Sequence, residues 1–299
     1  MILLTEREGR SARGGGAVGA PVCKGSPAMA VGKQRLDTLL AERGLFPSRS
    51  RAAASVMAGE VRVGAEERRA AKPGEMVDVA ERVRVIERPQ FVSRGGIKLA
   101  NALASTGLEV AGRRALDVGA STGGFTDCLL QRGAVEVIAV DVGYGTLAWS
   151  LRSDPRVSVM ERTNARGLTP QMLPAASSGR DRPPDLATID VSFISLAKVL
   201  PAVLDCLARP YDVLALVKPQ FEVGRGRVGK GGVVRDAADR RAALIGAGEA
   251  AVALGATVAG YHSSGLPGPK GNRETFMWLT DLPDEAGRSL EELAGEVER

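Results

Sequence analysis

From residue 94 onward the chain alternates short apolar runs with helix-patterned stretches, and that rhythm restricts its fold more than any other feature. The runs lie at 115–118, 136–140, 157–160, 185–189, 212–217, 257–262 and 275–280. They have the length of strands, and helical segments separate most of them, so parallel pairing through crossovers is expected. The predicted architecture is α/β: a doubly wound, mainly parallel, seven-stranded Rossmann-like sheet. No repeat of fixed period runs through it.

Upstream the pattern is different. Residues 1–32 show no periodicity and read as a flexible tail. "KQRLDTLLAERGL" is helical, with Leu36, Leu39 and Leu40 on one face and Gly44 as a stop. "SRSRAAASVMAGEVRVG" adds a helix capped by Ser48 or Ser50 and closed by Gly59, and "EMVDVAERVRVIER" is β-rich. Residues 33–90 are expected to form a small α+β domain, and residues 91–299 a larger one.

Composition then removes whole classes of function. Hydrophobic residues make up 44% and charged residues 25%, the balance of a soluble globular protein. Three scattered cysteines (Cys23, Cys128 and Cys206) form neither a disulfide framework nor a zinc spacing, which predicts a reducing, cytoplasmic setting and no metal. The first thirty residues lack the apolar core of a signal peptide. Glu249 interrupts the Ala- and Gly-rich stretch at 242–260, which reads as a helix running into a strand rather than a membrane span. The net charge is +5, and its location matters more than its size. Residues 1–30 carry four basic and two acidic groups, residues 31–90 twelve and nine, and residues 91–299 carry 24 of each. A polyanion would meet the N-terminal end first, through Arg35, Arg43, Arg49 and Arg51, although a solvated surface gives the same counts.

The first strand of the alternating region ends in "LDVGASTGGF". Gly119 permits a tight turn, and Gly123 and Gly124 let backbone approach a ligand and let the helix pack closely. The G-x-x-x-G-G spacing is not the G-x-G-x-x-G of dinucleotide sites. The second strand ends at "AVD", which puts Asp141 where an acid can bond both hydroxyls of a ribose. Such a set suits an adenosine ligand without a pyrophosphate, and S-adenosyl-L-methionine fits that description; the same turn also serves other α/β enzymes. Asp117 is placed to reach the methionine amine or to fix the turn. Ser121 and Thr122 are candidates for its carboxylate, and Asn164 in "ERTNAR" for the adenine edge or for turn capping.

In sheets of this kind chemistry gathers outside the carboxyl ends of the strands. Those ends carry Asp190 in "TIDVSFIS" and Lys218 in "LALVKPQFE". Glu274 in "GNRETFMWL" stands just before the last strand, and Lys98 in "SRGGIKLANAL" lies in the helix upstream of the glycine turn. "GRGRVGKGG", residues 224–232, nearly matches a phosphate loop, but position 231 is Gly, so the hydroxyl that would ligate magnesium is missing. With five glycines and Arg225, Arg227 and Lys230 it reads as a mobile basic lid that closes over phosphates, or as a plain solvent loop.

On "RLDTLLAERGL", "SRGGIKL", "LDVGASTGGFTD", "DVGYGTLAW", "DVSFISL", "LVKPQFE" and "GNRETF", the chain from about residue 33 to 281 resembles the TlyA family of ribosomal RNA methyltransferases. That family was historically labelled hemolysin, and its catalytic domain is FtsJ-like. Residues 1–32 and the insert "AASSGRDRPP" at 175–184 fall outside the likeness, and neither touches a motif. The resemblance implies an RNA-binding module like that of small-subunit ribosomal protein four over residues 33–90, and a methyltransferase domain over 91–299. It also implies a tetrad that carries over to Lys98, Asp190, Lys218 and Glu274. The implied reaction is methyl transfer from S-adenosylmethionine to a ribose 2′-hydroxyl of ribosomal RNA, with cytidine as the expected nucleotide and ribosomal subunits as partners. No membrane and no obligate protein partner are expected.

Elementary chemistry agrees with that tetrad. A ribose hydroxyl is a poor nucleophile until its proton is being removed. Neutral Lys218 can act as the base, and a neighbouring cation such as Lys98 favours the neutral amine, while Asp190 orients Lys218 and offsets part of that effect. Base catalysis contributes about 10²–10⁴-fold, whereas holding donor and hydroxyl in line supplies about 7–11 kcal/mol. Positioning is the larger share. Glu274 is expected to anchor Lys98 or the ribose. His262, in a strand, is expected to be structural. Two other functions compete: a non-catalytic RNA-binding or ribosome-assembly factor that keeps the cofactor fold, and a membrane-lytic protein, which lacks a strongly amphipathic cationic helix.

Overall fold

A computed structural model describes residues 32–86, 89–175, 182–268, 270–283 and 287–298, without the Arg225 side chain. The expected tail at 1–32 therefore lies outside the described residues except at Gly32, as does most of the insert at 175–184. The chain divides into two compact units, Met1–Arg88 and Pro89–Arg299.

The first unit runs β1 (Lys33–Arg35), α1 (Leu36–Glu42), α2 (Arg49–Ala58), β2 (Val61–Val63), β3 (Arg68–Arg69), β4 (Met76–Asp78) and β5 (Val83–Val85). β1 pairs with β4, and β2 lies between β3 and β5, all antiparallel. Leu36, Leu39 and Leu40 share one buried face of α1 and pack with Ala52, Val56, Val61 and Val77. Ser48 is the cap of α2, accepting from the Arg51 backbone N–H at 3.2 Å. Gly59 ends that helix at φ 77°, a conformation only glycine adopts without strain.

The second unit runs α3 (Arg94–Thr106), β6 (Arg114–Val118), α4 (Gly124–Gln131), β7 (Glu136–Val140), α5 (Trp149–Arg152) and β8 (Val157–Met160). It continues through β9 (Leu186–Ile189), α6 (Leu200–Asp205), β10 (Asp212–Val217), α7 (Pro219–Glu222), α8 (Ala237–Val252), β11 (Thr257–Ser263), β12 (Thr275–Thr280) and α9 (Leu290–Val297). The seven strands form one sheet in the order β11-β12-β10-β9-β6-β7-β8, and each lies within one residue of its expected bounds. β12 runs antiparallel to both neighbours, and the other pairings are parallel.

The strands are mostly apolar because helices cover both faces, with Arg114, Asp117 and Glu136 as buried exceptions in β6 and β7. In β10, Val213, Ala215 and Val217 enter one core, while Leu214 and Leu216 enter the other. Chain order reverses between β6 and β9, and at such a switch point the loops leaving two neighbouring strands diverge and open a crevice. Among the described residues no helix is long and apolar enough to cross a membrane.

Candidate active site

The crevice at the switch point is a cleft of about 360 Å³ lined by Ser93, Arg94, Gly95, Lys98, Gly119, Ala120, Ser121, Thr122, Gly124, Phe125, Asp190 and Pro267. Its floor is the turn after β6. The N–H groups of Gly119 and Ala120 both donate to the Val140 carbonyl, and Ser121 N–H donates to Asp141 Oδ2 at 2.8 Å. The path is tight enough to put Gly119 at φ 87°, Ser121 at 49° and Gly123 at 96°.

Sequence reasoning had Gly119 permitting a tight turn and Gly123 and Gly124 both opening backbone to a ligand and letting the helix pack closely, and the neighbours of the missing side chains are those of packing. A Cβ on Gly119 would strike the Asp190 carbonyl, and one on Gly123 the Leu147 and Leu151 side chains. One on Gly124 would strike Ser93 Oγ and the Gly96 backbone. The close approach they permit is of protein to protein: loop against loop, and α4 against α3. Gly119 and Gly124 also border the cleft, whereas Gly123 does not.

The acidic residues divide by burial. Asp141 sits half-buried at the end of β7, where Oδ1 accepts from Gly143 N–H at 2.6 Å and Oδ2 from Ser121. Asp117 is fully buried, with Oδ2 accepting from Thr126 at 2.6 Å and Oδ1 from Thr188 at 3.0 Å. Burial pushes its carboxyl up to about 6. Enclosed in that way it holds the turn, and of its two expected roles this is the one the contacts support. Asn164 accepts from Arg166 N–H at 3.1 Å and so caps a short 3₁₀ turn. Ser121 and Thr122 are exposed at the cleft.

Four residues far apart in sequence form two ion pairs beside this cleft. Lys98, on α3, donates to Glu274 Oε2, and both side chains are buried. Lys218, the residue that caps α7, places Nζ 2.5 Å from Asp190 Oδ1 and donates to Ser192 Oγ at 2.9 Å. The Lys218–Asp190 contact is one of charge, because its angles fall outside those of a hydrogen bond. Lys98 and Asp190 line the same cleft, so the two pairs border one space. The cation expected to act on Lys218 is thus itself paired with a carboxylate.

The basic candidates are mostly engaged within the protein. Arg35 and Arg49 both pair with buried Asp37, whose carboxyl they lower to about 2, with Arg35 the larger influence. Arg43 donates to the Val79 and Glu81 carbonyls, and among the described residues the Arg51 guanidinium has no partner. All remain exposed in part, and a guanidinium has donors to spare. In the 224–232 loop, Arg227 lies 3.7 Å from Asp239 and Lys230 is exposed, while the Arg225 side chain lies outside the described residues. No helix begins at Lys230. Instead Gly229 bridges to Val233, and buried Asn272 ties down the hairpin by donating to the Gly232 carbonyl and accepting from Val234 N–H. That settles the phosphate-loop likeness as coincidental. His262 meets Ser105 Oγ at 3.0 Å in a half-buried position on β11, a structural contact. Among the described residues no group of His, Cys, Asp and Glu could hold a metal.

Sequence reasoning missed the loop after β9 and the helix after Lys218. Phe193 is 91% exposed with φ 64°, and its ring stands 5.2 Å from that of Phe221. Glu222 pins this loop, accepting from Ser195 Oγ and Leu196 N–H. The signal was there in "DVSFISL" and "LVKPQFE", where only the charged residues were singled out.

Comparison with known proteins sets these sites in context. Residues 91–280 match the FtsJ-like methyltransferase family, and residues 34–83 match the S4 domain. A 16S/23S rRNA (cytidine-2′-O)-methyltransferase TlyA of Mycobacterium tuberculosis is 50% identical over 85% of this chain and 92% of its own. Hemolysin A of Brachyspira hyodysenteriae is 37% identical over 80% of this chain and 97% of its own. A solved structure from Streptococcus thermophilus, provisionally named a hemolysin, is 41% identical, covers 89% of this chain and 96% of that one, and superposes with a TM-score of 0.63.

Proposed function

The chain belongs to the TlyA family of FtsJ-like methyltransferases and carries an S4 domain, and from that premise we propose that it methylates a ribose 2′-hydroxyl of a cytidine in ribosomal RNA, using S-adenosylmethionine. The observation that carries this reading is the Lys218 amine, held by Asp190 and Ser192 beside a cleft that Asp190 and Lys98 both line, with Glu274 paired to Lys98. The groups around that cleft suit an adenosyl amino acid. Asp141 keeps acceptor capacity on both oxygens for a ribose diol, and Ser121 and Thr122 offer hydroxyls for a carboxylate. When bound, S-adenosylmethionine supplies a methyl group on a sulfonium, which needs no further activation.

The protein's task is then to orient the hydroxyl and take its proton. Charged, Lys218 can only donate, so it must first lose a proton. The rate should rise with pH until the amine is neutral. Phe193, almost wholly exposed, offers a face on which an unstacked base can rest once the nucleotide leaves its helix. The basic N-terminal domain supplies the phosphate contacts that hold the substrate.

Incubating the protein with unmodified ribosomal subunits and labelled S-adenosylmethionine, then digesting to nucleosides, tests the reading directly. It predicts 2′-O-methylcytidine, and Lys218→Ala should abolish its formation while calorimetry finds cofactor affinity unchanged, because the base acts mainly in the transition state. RNA binding without methylation by the parent protein would favour an assembly factor instead. Near-parental rates for Lys218→Ala would remove the base assignment.

A further inference from the structure

The buried Lys98–Glu274 pair joins two clefts. Lys98 lines the catalytic one, Glu274 lines another of about 350 Å³, and Pro267 borders both. A Glu274 carboxylate that lost its seat would therefore have room to swing out of reach of Lys98. What holds it at the amine is the backbone beside it. Gly268 is buried, and a Cβ there would strike Glu274 Oε1 and stand 2.9 Å from Glu274 Cδ. Gly268 does not adopt a left-handed φ, so its backbone conformation does not call for glycine. The carboxylate does.

The backbone at this position is fixed from both ends. Gly268 N–H donates to the Asn272 carbonyl at 2.9 Å, and Gly271 N–H donates to the Gly268 carbonyl at 2.8 Å. Asn272 is buried, with Oδ1 accepting from Val234 N–H at 2.9 Å and Nδ2 donating to the Gly232 carbonyl at 2.8 Å. One partner can only donate and the other can only accept, which leaves that amide a single orientation. A methyl group at 268 would thus meet held backbone on one side and a free-ended side chain on the other, and the side chain would move. Carbon atoms rest about 3.5–4.0 Å apart, so Glu274 Cδ would retreat by at least about 0.6 Å. Reacting constellations tolerate about 0.5 Å. We propose that Gly268 is a positioning residue for methyl transfer: having no side chain, it seats the Glu274 carboxylate against Lys98 and so fixes the Lys98 amine at the wall of the catalytic cleft. The inference rests on the ribose-methylation reading and adds to it a residue outside the lining of that cleft.

The test uses the full-length protein, ribosomal subunits and labelled S-adenosylmethionine. Single-turnover rates are measured at saturating substrate, with calorimetric affinities for cofactor and RNA beside them. Gly268→Ala should slow transfer by about 10- to 100-fold, the scale of a misplacement of about 1 Å, while both affinities hold. Glu274→Asp, which draws the carboxylate back by one methylene, should also slow it. In the double variant the shorter acid clears the new methyl, so the two losses should not multiply, and the double should be no slower than Gly268→Ala alone. A glycine that merely holds its loop would give losses that multiply. That result, a near-parental rate for Gly268→Ala, or a loss of cofactor affinity in it would overturn the proposal and leave ribose methylation standing. Should Gly268→Ala fail to fold, the double variant decides: folded and active it supports the seating, and unfolded it overturns it. A parent that transfers no methyl group overturns the functional reading, and this proposal with it.

Discussion

A carboxyl held away from water titrates out of its usual range, and Asp117 does so with a consequence for stability. Its folded value of about 6 lies above the ordinary value of 3.8. Between those two values the folded state binds more protons than the unfolded one, so stability falls as pH rises through that window. The contribution is fully present below about pH 4 and lost above about pH 6, and two units correspond to roughly 3 kcal/mol. Asp117→Asn, uncharged throughout, should flatten the slope of melting temperature between pH 4 and 6. An unchanged slope would place the pH dependence elsewhere. The paired lysines allow a second expectation, read in the pH–rate profile. Lys98→Ala exposes the Glu274 carboxylate and should move the profile alkaline, whereas Glu274→Gln and Asp190→Asn each remove a negative neighbour and should move it acid. Lys98→Ala and Glu274→Gln each strand a buried charge, at about 3–5 kcal/mol, so Asp190→Asn gives the cleanest profile. Shifts of one sign for all three would mean that the four side chains merely hold structure.

Between elements, the glycine turn acts as a joint. α4 can lie against α3 only because Gly124 and Gly96 leave room for Ser93 and Phe91, and the turn can pass Asp190 only because Gly119 has no side chain. Gly123 touches Leu147 and Leu151 rather than the cleft, so Gly123→Val should act through packing and backbone strain, at about 1–3 kcal/mol. Asp141→Ala should weaken S-adenosylmethionine binding with little loss of stability. Thermal melts and calorimetry on both variants separate the two effects. A stable Gly123→Val with weakened binding would return that glycine to the ligand. Asn272 joins the 229–233 hairpin to the loop that ends at Glu274, so the basic 224–232 loop is rooted two residues from the Lys98 pair.

For the molecule as a whole, the two units differ in charge and in the clefts they carry. Every residue lining the two clefts belongs to the second unit, while the excess positive charge lies in the first ninety residues. Removing residues 1–88 should weaken ribosomal RNA binding and reduce its dependence on salt, by about one in the log–log slope per lost phosphate contact. Cofactor affinity should survive. A truncated protein with the parent's RNA affinity and salt slope would rule out docking by the first unit. The sheet and its strand bounds were legible in the sequence, because periodicity and turn chemistry are local and a strand buried on both faces is mostly apolar. What stands opposite each residue was not legible. Lys98 meets Glu274 across 176 positions, and a side chain on Gly119 or Gly123 would strike the Asp190 carbonyl or the Leu147 and Leu151 side chains. Those facts depend on which atoms the folded chain brings within a few ångströms, and only the tertiary structure decides them.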